Sequence, residues 1–267
     1  MTRWFRRTLP VALVLALVVA VASCGGSGGG GEGGGKGGGT KKVTVASDIA
    51  YPPFEFTKSG KPVGFDIDLM REICKRADFK PEFQNVTYDV IIPGLGNNLY
   101  DVAISAMTIT EEREQQIDFS DPYFNADQSL LVPSDSEIKS TEDLADATVG
   151  VQLGTTGADQ ADEFQSEGTV GEVRTFDTIE DTFAALENGQ VDAVINALPV
   201  SQERADQSDG RLEVVETIPT GEQYGIAFPK DSELVDPVNE ALAEIKEDGT
   251  YEKLYKEWIG RAPEEIP

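Results

Sequence analysis

Strand-like and helix-like patterning alternates from residue 41 to 262, and two Pro-bearing extended stretches break it; no other feature limits the fold as much. Residues 42–47 (KVTVAS) alternate apolar with polar as a strand does, and Tyr51-Pro52-Pro53 then forces a loop. The pattern predicts a helix from about Asp66, as N-cap, through Ala77, carrying the stripe Leu69, Met70, Ile73, Cys74 and Ala77. Tyr88 to Asn97 reads as a second short helix and Asp101 to Ala106 as a second strand. Thr110 caps a third helical turn, with Glu111 and Glu112 at its positive end.

The middle of the chain repeats this logic. Strands are expected at 147–152, 171–176 and 191–196, and helices at Thr155 to Ser166, 178–188 and 198–206. A strand near 212–217 and the apolar Tyr224 to Phe228 precede two helices with the core stripes Leu234, Val238, Leu242, Ile245 and Tyr251, Leu254, Tyr255, Trp258. Such alternation implies parallel sheets. The breaks, at Pro122 to Pro133 and Pro219 to Tyr224, mean that the chain passes twice between two α/β blocks. The expected fold is α/β, with two Rossmann-like lobes and a hinge of two crossing strands. Lobe one is 41–128 plus 223–262, lobe two is 129–222, and a ligand cleft lies where strand ends and helix N-termini of both face each other.

Ahead of this body, Arg3, Arg6 and Arg7 precede an apolar run from Leu9 to Ala22 too short for a membrane span. Residues 1–23 therefore read as an export signal, and Val21-Ala22-Ser23-Cys24 resembles the lipobox of bacterial lipoproteins, in which the Cys is lipidated. Residues 24–40, nearly all glycine after Cys24, form a tether with a coil dimension on the order of 20 Å. The expected location is the extracytoplasmic face of the cell membrane, reached through the lipid anchor alone. Arg6-Arg7 is too weak a twin-arginine signal to fix the export route.

Charge and composition narrow the function. The formal net charge is −26, with 22 Lys and Arg, three of them in the signal, against 48 Asp and Glu. Nucleic acid is not an expected partner, because its binding requires clustered cations. The acidity fits a salty habitat or solubility alone. Cys74 is the one thiol left beside Cys24, so no intrachain disulfide forms, and its place on an apolar stripe makes it a buried small hydrophobe. With 0 His in the chain, His-based triads and zinc sites are excluded, and no metal or cofactor is expected.

Eight segments in order carry a resemblance: DIAYPPFEF (Asp48 to Phe56), GFDIDL (Gly64 to Leu69), IIPGL (Ile91 to Leu95), AMTITEER (Ala106 to Arg113), IDFSD (Ile117 to Asp121), VDAVINALP (Val191 to Pro199), YGIAFP (Tyr224 to Pro229), and Asn239 to Trp258. The chain resembles the type 3 extracellular solute-binding proteins that serve polar amino-acid ABC importers, which share the periplasmic-binding-protein type II fold. The resemblance implies a monomeric receptor, not an enzyme, that closes on a polar amino acid and presents it to a membrane permease.

Physical chemistry and resemblance meet at individual residues. Arg113 offers a planar fork for a carboxylate, and the resemblance assigns it the ligand's α-carboxylate; the plain alternative is a helix Arg paired with Glu111 or Glu112. Thr108, near a strand end, is placed to donate to the same group, and Ala106 at the start of that motif is counted as a contact. Gly154-Thr155-Thr156-Gly157 joins a strand to a helix, either as an anion seat with Thr156 as second carboxylate contact and Thr155 beside it, or as a simple N-cap. Gln152 stands where glutamine-binding relatives carry Lys.

Tyr51 and Tyr88 match two rings that hold a ligand side chain, or else are core. Asp48, at the end of the first strand, favours Lys, Arg, His, ornithine or Gln over Glu and Asp. Asn196 and Ala197 complete the set, and Ala197 departs from the family, which usually has an Asp there for the ligand's α-ammonium. Either another acid such as Glu222 substitutes, or that contact is weaker, or the ligand is not a standard α-amino acid. The competing functions are a periplasmic dehydratase of cyclic acids on the same fold and a ligand-sensing module.

Overall fold

In the computed structural model, residues 40–267 are described; the signal, Cys24 and all of the tether except Thr40 lie outside them. The chain opens with β1 (Lys41–Ser47), a hairpin of β2 (Phe56–Lys58) and β3 (Lys61–Val63), and α1 (Phe65–Arg76). β4 (Phe79–Asn85), α2 (Ile91–Gly96), β5 (Val102–Ala103), α3 (Glu111–Glu114) and β6 (Ile117–Phe119) follow. The long β7 (Phe124–Pro133) leads into β8 (Thr148–Gln152), α4 (Thr156–Ser166), β9 (Glu172–Phe176), α5 (Ile179–Glu187), β10 (Ala193–Ala197) and α6 (Leu198–Gln207). The equally extended β11 (Leu212–Tyr224) returns to β12 (Ala227–Pro229), α7 (Val235–Glu247) and α8 (Thr250–Ile259).

Two five-stranded sheets result, ordered β4-β1-β5-β12-β6 and β11-β7-β10-β8-β9. Each belongs to one α/β lobe. β10 and β8 lie inside the second sheet, and β10 is buried at every residue, as a strand covered on both faces must be. The expectation of parallel sheets is corrected in part, because both sheets are mixed. β1, β4 and β5 are parallel, as are β8, β9 and β10, but β12 runs antiparallel to β5 and β6, and β7 antiparallel to β10 and β11. Strands that arrive from the other lobe enter each sheet from the opposite direction, so the crossings themselves impose the mixed pairing.

Other boundaries also move. Gly64, not Asp66, is the N-cap of α1. Its φ of 130° is open to glycine, and a Cβ there would sit 2.0 Å from the Phe54 carbonyl oxygen. The carboxylate of Asp66 instead turns inward, accepting from the Ala106 N–H at 2.8 Å and the Tyr123 hydroxyl at 2.7 Å. The strand read at Asp101 to Ala106 shrinks to Val102–Ala103, because Ala106 adopts a φ of 44° to reach Asp66. Thr110 does cap α3, accepting from the Arg113 N–H.

The core of lobe one joins α1 (Leu69, Ile73, Cys74) to the final helices (Leu242, Ile245, Tyr251), all buried. Lobe two is built on Leu130, Val149, Val151, Ala161 and Ile195. Where the crossing strands leave lobe one, aromatic rings lock together: Phe124 packs on Phe54 at 4.8 Å, Tyr255 at 5.3 Å and Tyr224 at 5.7 Å between centroids. The pairing of β7 with β11 shifts register between Ile218 and Glu222. The bulged residues are held by Asp127, whose Oδ1 accepts from the Thr220 and Gly221 N–H groups at 3.0 Å. Gly221, at φ 64°, makes the turn that aims Glu222 back between the lobes.

Candidate functional site

The lobes close on a narrow cavity, lined from lobe one by Asp48, Tyr51, Glu55, Tyr88, Ser105, Ala106 and Thr108. Gln128 and Tyr224 on the crossing strands, and Gln152, Thr155, Thr156, Gly157, Asn196 and Ala197 of lobe two, complete the wall. Every sequence-predicted ligand contact lies in the wall except Arg113.

At one end, the strand ends of both lobes meet. Asp48 follows β1, Gln152 closes β8, and the Gln152 amide donates to Asp48 Oδ2 at 2.7 Å. Burial raises the Asp48 carboxyl to about 6, offset in part by that hydrogen bond and reinforced by Asp89. The tight turn after Asp48 pairs Tyr51 with Glu55, so a ring and an acid stand side by side. The Tyr51 hydroxyl crosses the cleft to donate to Asn196 Oδ1 at 2.8 Å. Tyr88, on the 3-10 turn before α2, supplies a second buried ring.

At the other end, Arg113 is 6% exposed, and its guanidinium donates to the Thr108 carbonyl at 2.7 Å and to the Gly154 carbonyl of lobe two at 3.0 Å. Its centre lies 5.8 Å from the Tyr88 ring centroid. The pairing with Glu111 or Glu112 does not form; the cap puts the backbone of Arg113 on α3, and the long side chain reaches into the cleft instead. Thr155 is the N-cap of α4, accepting from the Ala158 N–H at 3.2 Å, so the capping reading holds for that residue. Thr156 and Thr108 both donate to Glu222 Oε2, at 2.9 and 2.8 Å, and Gln128 adds an amide donor at 3.1 Å. One carboxylate thereby ties hydroxyls of both lobes.

Ala197 is 4% exposed and opposes Gln128 across the β10–β7 pair. It presents a methyl group, and Glu222 is the acid at this end. The sequence reading missed Glu55, Ser105, Gln128, Gly157 and Tyr224 as wall residues. Glu55 had one signal, a charge set between Phe54 and Phe56 in an otherwise apolar loop. Three buried polar atoms of the wall, Glu55 Oε2, Gln128 Oε1 and Asn196 Nδ2, have no protein partner. A polar occupant suits such a surface.

A probable histidine-binding protein of Neisseria gonorrhoeae is 35% identical over 230 residues, 83% of this chain and 84% of its own length. Among solved structures, the arginine-, lysine-, histidine-binding protein ArtJ of Geobacillus stearothermophilus matches with a TM-score of 0.79 and 40% identity, over 84% of this chain and 97% of that one. An ancestral amino acid-binding protein described as a precursor of cyclohexadienyl dehydratase matches with a TM-score of 0.74 and 40% identity, over 82% and 95%. The profile of the bacterial extracellular solute-binding proteins, family 3, matches residues 43–261, and with two α/β lobes around a polar cleft the chain belongs to that family.

Proposed function

We propose that this chain is the receptor of an ABC importer for a polar amino acid, with a cationic side chain preferred, glutamine next and acidic side chains rejected. The observation that carries the reading is the polarity of the cavity from end to end: Asp48 and Glu55 in the wall at one end, Arg113 and the hydroxyls of Thr108 and Thr156 at the other. An amino acid lying with its side chain toward Asp48, between Tyr51 and Tyr88, matches both. Its α-carboxylate takes Arg113 and the two hydroxyls, with Ala106 and Thr155 close by. Glu222, freed from those hydroxyls, takes the α-ammonium in place of an acid at Ala197. Gln152 and Asn196 close over the side chain.

Entry requires the lobes to part, because the bonds from Gln152, Tyr51 and Arg113 all cross the cleft. With the lobes divided at residues 128 and 223, rotation falls on β7 and β11. Cys24 anchors the protein to the extracytoplasmic face and the tether gives it reach to the permease. A thermal-shift screen of the mature protein tests the substrate class: Lys, Arg, His, ornithine or Gln raises the melting temperature and Glu and Asp do not. No response to any of them removes the reading. Cys24→Ala tests the anchor by fractionation; normal processing with full membrane retention contradicts it.

A second reading, a dehydratase of cyclic acids, draws on one feature, the buried carboxyl of Glu55 beside the cavity, which burial raises well above the ordinary carboxylate range as a general acid requires. Turnover of arogenate or prephenate to an aromatic product establishes it; inertness toward both leaves the receptor.

A further inference from the structure

The acids behind the side-chain end have an arrangement that ligand capture at Asp48 alone does not use. Glu55 lines the cavity, and Glu55 and Asp66 are each 0% exposed. Glu55 Oε1 accepts from the Ser105 hydroxyl at 2.9 Å, and Asp66 Oδ2 accepts from Tyr123 and Ala106. One oxygen on each side chain, Glu55 Oε2 and Asp66 Oδ1, is left without a donor. The two side chains lie within hydrogen-bonding reach of each other, and two such buried carboxyl groups with one orphaned oxygen apiece are both satisfied by a single proton held between them.

The surroundings make that proton hard to lose. From the end of β1 Asp48 acts on Glu55, from α1 Asp66 does, and Tyr51, Tyr88 and Tyr123 feel the charge of Glu55, with Arg113 on the Tyr88 ring beyond them. The groups that act on Glu55 or feel its charge are all acids or hydroxyls, with no cation among them. Burial first, then repulsion from Asp66, pushes Glu55 well above the ordinary carboxylate range; burial raises Asp66 to about 6.

We infer that the Glu55–Asp66 pair belongs to the ligand site, and that Glu55 gives up the shared proton when a cationic side chain settles beside Asp48, becoming a second carboxylate that specifies positive charge. The inference rests on the amino-acid receptor reading above. In the step, the O–H bond of the carboxyl breaks, the proton passes to solvent, and the cation of the ligand replaces its charge. No electrons are transferred. A desolvated acid cannot ionise without a compensating charge, so a neutral amide side chain leaves the proton in place. The orphaned amide atoms of Asn196 and Gln128 in the same wall leave further hydrogen-bonding capacity open to a polar occupant.

Glu55→Gln tests this without dismantling the fold, since its amide N–H donates to Asp66 Oδ1 and its carbonyl accepts from Ser105 as the protonated acid does. Arginine and glutamine are titrated calorimetrically into the mature protein at pH 7.5 in phosphate and in Tris, whose different ionisation heats report protons released. The parent releases up to about one proton per arginine and none per glutamine, and Glu55→Gln releases almost none with either. Asp48, at about 6, is already ionised at that pH and contributes little. The infrared carboxyl band of a protonated acid appears in the ligand-free parent and is absent from Glu55→Gln. Arginine binding without proton release, or equal release by parent and variant, overturns the inference while leaving the receptor reading intact. Absence of the infrared band overturns the shared proton even if no ligand binds. Absence of all binding heat removes the receptor reading itself and this inference with it.

Discussion

The two ends of the cavity are built on opposite principles. Around Arg113 the protein satisfies itself: the guanidinium rests on two carbonyls, and the hydroxyls of Thr108 and Thr156 on Glu222. Around Asp48 three acids, Glu55, Asp66 and Asp48, crowd together with a glutamine amide and hydroxyls but no cation. A ligand arriving at the first end must exchange bonds already made, so its gain is a difference between two satisfied states. At the second end a cation relieves a standing electrostatic cost. On the receptor proposal, orientation is the work of the Arg113 end and discrimination that of the Asp48 end.

The largest test of this division is Arg113→Ala, expected to cost about 2 to 5 kcal/mol of binding because the α-carboxylate stays desolvated without a partner. Lys at this position rescues little, lacking the fork. Calorimetry decides, and an affinity within about threefold of the parent takes Arg113 out of the site. Asp48→Asn comes next: a cationic ligand loses about 1.5 to 3 kcal/mol while glutamine loses much less, so selectivity collapses more than affinity. Equal losses for both ligands make Asp48 a merely structural residue. Glu222→Gln is expected to weaken an α-amino acid by about 1.5 kcal/mol, with Ala197→Asp in that background recovering part of it. Tighter binding in Glu222→Gln reveals instead that Glu222 competes with the ligand for the threonine hydroxyls.

One further effect is on stability, spread over several pH units. The folded-state pKa of Glu55 is raised, so folding retains a proton that the unfolded chain releases near 4.5. This contribution is whole below that value and is lost as pH rises toward the folded pKa, at no more than about 1.4 kcal/mol per pH unit. Glu55→Gln has no such loss, so its melting temperature relative to the parent climbs between pH 5 and pH 8. A constant difference across that range contradicts the raised pKa.

These contrasts were unequally legible in the chain. The strands and helices of lobe two stood out because β8 and β10 are buried runs of small and branched residues between well-marked helix caps. β4 did not, since FKPEFQN is half-exposed and contains Pro81, tolerated there because the strand is the sheet edge. The hairpin of β2 and β3 is too short to leave a period. Tyr51, Tyr88 and Asp48 were found through the resemblance and Thr156 through its strand-to-helix junction, and all reach the cavity. Glu55 and Asp66 were seen as letters of two motifs, but their partnership with Ser105 and Ala106 spans 50 and 40 residues of sequence, which no local pattern encodes. Asp66 looked like a cap for the same reason: helix starts attract Asp, and the inward turn depends on a backbone elsewhere.

The most direct measurement of the central claim compares arginine with citrulline, which keeps the shape of the side chain and removes its charge, and with glutamate, which reverses it. Calorimetric titration of the mature protein at neutral pH is predicted to give arginine at least about tenfold tighter than citrulline, and glutamate no measurable binding. Citrulline binding as tightly as arginine, or glutamate binding at all well, contradicts an acidic end that selects positive charge.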